Sequence, residues 1–231
     1  MKLPFILLCV LGLSTATAQT GPRLFFKTAQ VFDLECSRRT GAALEESQQR
    51  ELHQRLPEFQ KEWDERSRTL NPLSEAAAGL KFSRKEYSVA LTVCPWTPMG
   101  DPVFIVSARP YLRSAQRPLA VPAGMPVFVS MVHHELLHEL VGNIFEEEFG
   151  LRSKMLLKYK AENVNVLVHL HLLAIQKATY DALGDRGLLA ATDSLYKDLI
   201  GGDYKRAWEI VLLEGTEAFT SELQEYNKPK P

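Results

Sequence analysis

Between Val132 and Val141 the chain reads VHHELLHELV, which sets three of its six histidines and two glutamates inside an otherwise apolar run. No other segment restricts the fold as much. Leu136, Leu137, Leu140 and Val141 fall at helical spacing and predict a buried helix. Ionisable groups inside such a helix are costly unless they are paired, hydrogen-bonded or metal-bound. The fold therefore has to bury this helix and find partners for its polar side chains.

The rest of the chain predicts what surrounds it. RLFFKTAQVFDLEC, early in the chain, has strand-forming residues in rough alternation. From Ala42 to Leu70 the period becomes helical, with Leu52, Leu56, Phe59, Trp63 and Leu70 on one face. Pro57 lies inside that pattern and predicts a kink or a restart, and NPLSEAAAG reads as a connector. Tyr87, Val89, Leu91 and Val93 alternate with smaller or polar residues, the period of a half-buried strand. PWTPMGDP interrupts and VFIVSA resumes, which predicts a hairpin or two neighbouring strands. After the histidine segment the chain reads as helical to its end: residues 152–183 contain no proline or glycine, and Asp203 to Tyr226 repeat apolar residues at helical spacing. Strands first and helices after predict an α+β fold, a small antiparallel sheet followed by a mainly helical half. One domain is expected over residues 19–231, with strands plus a helix in 19–130 and helices in 131–231.

Residues 1–18 carry Lys2, the apolar run PFILLCVLGL and the small residues STATA, with Ala16 and Ala18 in an A-x-A arrangement. This predicts an export signal cleaved after Ala18 and a secreted or periplasmic location. The run is short against the about 20 apolar residues that span a bilayer, so no transmembrane segment is expected in the mature chain. The 27 basic and 28 acidic side chains nearly balance, and no basic stripe dominates any segment, which argues against a nucleic-acid partner. Cys36 and Cys94 form either a disulfide or two buried thiols.

His134-Glu135-Leu136-Leu137-His138 has a spacing with mechanical meaning. Residues four apart on a helix stand one turn above the other, so two imidazoles there can hold one metal ion between them. Glu135, displaced around the helix, can face a water on that metal without binding the metal itself. His133 has no partner at that spacing, because position 137 is leucine.

The segment resembles the zincins, the superfamily of zinc metallopeptidases built around an H-E-x-x-H helix. The metzincin branch, which continues to a glycine and a third histidine, is excluded by Val141 and Ile144 at those positions. The resemblance is to the gluzincin type, which implies a third ligand from a glutamate on a later helix. Glu162, in the apolar segment that follows, is the candidate; Glu214 and Glu217 are the competitors. Glu146, Glu147 and Glu148 follow the histidines too closely and read as a solvated turn. Glu162, Asn165, His169 and Gln176 share one face at helical spacing, a polar stripe that needs partners. Where the thermolysin-like pattern places an orienting aspartate, this chain has Val166. Asn165 or Glu217 is left to orient the imidazoles.

The resemblance implies one Zn2+ per chain on His134, His138 and Glu162, with Glu135 as general base in cleaving a peptide or protein substrate. His169 is either a donor to the oxyanion of the tetrahedral intermediate or a structural core histidine; Tyr159 and Tyr204 are alternative donors. His171 reads as structural. The competing function is a non-catalytic binding or structural protein of the cell envelope, or a zinc hydrolase of a non-peptide amide or ester.

Overall fold

The structure, a computed structural model, describes residues 21–41, 43–94, 104–115, 124–146, 152–200 and 202–228, with side chains omitted for 143–146 and 198–200. The expected leader, PWTPMGDP, and Glu147 and Glu148 lie outside the described residues. Among those residues, no helix is long and apolar enough to cross a membrane.

Strand β1 (Arg23–Thr28) buries Leu24 and Phe26 and leaves the alternate residues outward. The chain then turns into helix α1 (Gln30–Thr40), so only the first half of the expected early strand is extended. Helix α2 (Glu46–Ala78) follows, then β2 (Glu86–Thr92) and β3 (Phe104–Ser107). The three strands form one sheet in the order β1-β2-β3, and both pairings are parallel: Phe26 stands beside Val89, and Val89 beside Phe104. The expected antiparallel hairpin is therefore corrected. Parallel neighbours need a crossover long enough to return the chain to the starting end of the sheet. Two helices fill that role between β1 and β2. The simple order of strands first and helices after fails for the same reason.

Helix α2 runs unbroken through Pro57 and Pro72, where a kink and a connector were expected. An interior proline costs about 3 kcal/mol. That cost is offset by the face holding Leu52, Phe59, Trp63 and Leu70, each at most 1% exposed, at about 1.5–3 kcal/mol for a buried apolar side chain. The helix ends where Gly79 adopts φ 67° and its α-hydrogen faces Gln224; a side chain there would meet the Gln224 backbone at 3.1 Å. Gln224 donates Nε2 to the carbonyls of Ala76 and Ala77, closing the last turn.

The second half comprises α3 (Met125–Glu146), α4 (Lys154–Lys158), α5 (Val164–Leu183), α6 (Arg186–Ser194), α7 (Gly202–Glu214) and α8 (Thr216–Tyr226). The side chains of Ser153, Asn163 and Asp185 cap α4, α5 and α6 by accepting from main-chain N–H groups. A π-helical turn, Leu195–Ile200, continues directly from α6. One apolar cluster joins the sheet to α2 and one face of α3 through Phe59, Phe128 and Trp63. A second joins the other face of α3 to α5, α7 and α8 through Leu137, Leu173 and Trp208. Helix α3 thus lies between two cores, which is why Ser130, His133, His134 and Glu135 are buried.

Candidate metal centre

His134 and His138 stand one turn apart on α3, and α5 brings His169 against them. The ring centroids are 4.9 Å apart for His134 and His138, 5.0 Å for His138 and His169, and 5.2 Å for His134 and His169. The Nε2 atoms of His134 and His138 are separated by 3.2 Å. One ring nitrogen from each histidine lies within 4.8 Å of the other two, so the three are close enough to hold a metal ion. Nitrogens bound tetrahedrally at ~2.0–2.1 Å from zinc would themselves be about 3.4 Å apart, close to the spacing of the α3 pair.

Burial keeps these rings neutral. It holds His138 down to about 3 and lowers His169; His134 lies well below the usual histidine range, through burial first and the neighbouring imidazoles second. A neutral imidazole has one nitrogen with a free lone pair. On His169, Nδ1 donates to the carbonyl of Asn165, one turn back on the same helix. Its Nε2 is left unprotonated, buried and without a hydrogen-bond partner among the described residues. Tyr204 of α7 covers the site, its ring 4.4 Å from His169 and 5.6 Å from His134.

Glu135 lies beside this group, 4% exposed, with Oε2 buried and without a hydrogen-bond partner among the described residues. Burial pushes its carboxyl up to about 8. Burial, and after it the Glu135 and Asp203 carboxyls, raise the Tyr204 phenol.

The remaining histidines of the core are structural. His133 faces the other way on α3, bonded through Nε2 to Ser74 of α2 at 2.8 Å and through Nδ1 to Tyr180 of α5 at 2.9 Å. His171 meets Glu222 of α8 at 3.1 Å, and Glu222 also accepts from the Ser153 hydroxyl and the Met155 N–H. That set ties α4, α5 and α8 together.

Glu162 is not brought to the histidine pair. Asn163 caps α5, so the helix begins at Val164 and Glu162 sits in the turn before it. Its Oε1 accepts from Nε and Nη2 of Arg206 at 2.9 and 2.7 Å. The competitors stand elsewhere too: Glu214 accepts from Lys158 and Tyr159, and Glu217 is exposed. The Asn165 side chain donates to Asp203 at 3.1 Å, and it is the Asn165 main-chain carbonyl that orients His169. Along the polar stripe of α5, His169 and Gln176 reach α3, while Glu162 and Asn165 remain at its solvent end.

Tyr196 belongs to the site although the sequence did not place it there, and it stands beside Gln176 of the expected polar stripe and Tyr204, an alternative donor. Tyr196 bonds His134 Nδ1 at 2.7 Å, Gln176 bonds Tyr196 at 2.6 Å, and Tyr204 packs on the rings. Gln176 left a trace, as a polar residue on an apolar helix face seven positions after His169. Tyr196 left none, because DSLYKDL has no spacing that points at a site. The fold and this group define a mainly helical α+β protein with a three-histidine cluster able to hold a metal ion. No protein-family model matches the chain, and neither the curated proteins nor the solved structures contain a match to it.

Proposed function

We propose that the chain is a zinc-dependent hydrolase, a metallopeptidase, in which His134, His138 and His169 hold the ion and Glu135 is the general base. One observation carries this reading. Two buried groups with open valences, His169 Nε2 and Glu135 Oε2, flank a pair of neutral imidazoles at ligand spacing. A buried polar group without a partner costs about 1–3 kcal/mol, and an ion with its water would satisfy both.

Three imidazoles without a carboxylate suit zinc among the metals that accept nitrogen ligands, and three protein ligands with one open position is the pattern of catalytic zinc. When bound, zinc supplies a Lewis acid and lowers the pKa of a water in the open position to about 7. Glu135 takes the proton released as the attacking oxygen bonds to the substrate carbonyl carbon. It returns that proton to the leaving nitrogen as the C–N bond breaks. The oxyanion needs a donor, and His169 does not fill that role, since its hydrogen is engaged with Asn165 and its Nε2 has none to give. Tyr204, half-buried against the rings, is the donor we assign.

The choice of a peptide bond rests on the zincin resemblance of His134-Glu135-x-x-His138, with His169 in the third place instead of Glu162. Export rests on the composition of residues 1–18. The test is metal analysis of the purified protein beside His138→Ala, followed by digestion of an unfolded protein such as casein. About one zinc per chain, lost in the variant, and cleavage that stops with chelator and returns with zinc are expected. If no metal is retained after zinc is offered and the excess removed, the reading fails.

A further inference from the structure

The hydrogen bonds behind His134 have a direction, and a main-chain carbonyl sets it. Gln176 is fully buried on α5, and its Nε2 donates to the carbonyl oxygen of Ser130 on α3 at 2.9 Å. A carbonyl only accepts, so the amide nitrogen has to face Ser130 and the amide oxygen has to face away. There Oε1 accepts from the Tyr196 hydroxyl at 2.6 Å. The hydroxyl has one hydrogen, and Gln176 takes it. Tyr196 therefore meets His134 Nδ1, 2.7 Å away, only as an acceptor. His134 must carry its proton on Nδ1, which leaves the lone pair on Nε2, the nitrogen facing His138.

We propose that Tyr196, oriented by Gln176, is a positioning residue that locks His134 in the Nδ1–H tautomer and presents Nε2 as the ligand atom. The purpose of the lock rests on the metal reading above, whereas the tautomer belongs to the metal-free chain. Metal-binding histidines commonly donate their second nitrogen to a carboxylate or carbonyl. Here a phenol takes that place, and since a phenol both donates and accepts, its direction has to be set by a third group. The π-helical turn that opens at Leu195 widens the backbone where Tyr196 has to reach inward. With both ends of its hydroxyl engaged and its ring wholly buried against Trp208, Tyr196 has no freedom to turn.

The test is a long-range proton–nitrogen correlation spectrum of the metal-free protein labelled at histidine nitrogens, with His134 assigned by its loss in His134→Ala. A single Nδ1–H tautomer is expected in the wild type. Gln176→Leu frees the Tyr196 hydrogen to turn towards His134, and should move His134 towards Nε2–H. Tyr196→Phe should mix the tautomers and weaken zinc binding about 10–100-fold at unchanged stoichiometry, read by competition with a chelating dye. A wild-type His134 protonated on Nε2 overturns the proposal without recourse to any variant. So does Tyr196→Phe with both tautomer and affinity unchanged. A wild type with Nδ1–H that takes up no zinc supports the lock and removes the metal reading instead.

Discussion

His138 and His169 sit on different helices, yet their ring centroids are 5.0 Å apart and nearly perpendicular. The contact is made across the α3–α5 interface, deep enough that burial keeps both rings neutral. Such a pair is unfavourable if both rings are charged and well suited to sharing a cation. His169, not Glu162, therefore completes the group.

This separates two variants by metal content. His169→Ala should lower zinc affinity by at least about 100-fold, since it removes one of three ligands. Glu162→Ala should leave affinity within about twofold, because it breaks only a partly exposed pair with Arg206, the kind worth about 0–1 kcal/mol. Competition with a chelating dye reads both; the reverse order would restore the glutamate as ligand.

Glu135→Gln separates binding from turnover. The amide has nearly the shape of the carboxyl but no base, so about one zinc per chain should remain while peptide cleavage falls by about 10²–10⁴-fold. Persistent cleavage would remove Glu135 from the mechanism, and loss of metal would make it a ligand.

Far from the site, Glu51 sets an acid limit on stability. Its burial opposes ionisation, but the Arg113 and Ser114 N–H groups and Arg55 outweigh it and hold the carboxyl at about 2. A folded value below the ordinary one means stability present above pH ~4.5 and lost as the pH falls through about 2. Glu51→Gln should cost about 1–2 kcal/mol at pH 7, once solvent screening of this partly exposed group is allowed for. The difference in melting temperature from wild type should close between about pH 5 and pH 2; a gap that does not narrow with acid contradicts the assignment.

Cys36 in the second half of α1 and Cys94 beyond β2 are joined, 58 positions apart in sequence. In the chain-entropy picture that loop is worth about 4 kcal/mol. Cys36→Ser with Cys94→Ser should lower stability by about that amount in denaturant titration. Zinc stoichiometry should not change, because the bridge clips α1 to the sheet and touches none of the three histidines.

What could be read from the chain beforehand follows the reach of local geometry. The His134–His138 pair, the face of α2 and the alternation in β2 each depend on one helical or strand period, and the structure has all three. Pro57 misled because local propensity is outweighed by a helix face buried along 33 residues. The strand direction misled because pairing depends on the path between strands, which period does not encode. Glu162 misled for a smaller reason. Asn163, two positions before Asn165, takes the cap of α5 and turns the glutamate outward, so the part of the stripe that reaches α3 begins at His169, about two turns later.

By itself, then, the sequence determined that a buried helix would carry two imidazoles one turn apart with a carboxylate between them, since 3.6 residues per turn permit nothing else for that spacing. The third histidine, the Tyr196–Gln176 pair behind His134 and the parallel order of the strands were decided only by tertiary structure. Each depends on where the turns before α5 and after α6 deliver separate elements, and packing between elements settles that over distances no local period can reach.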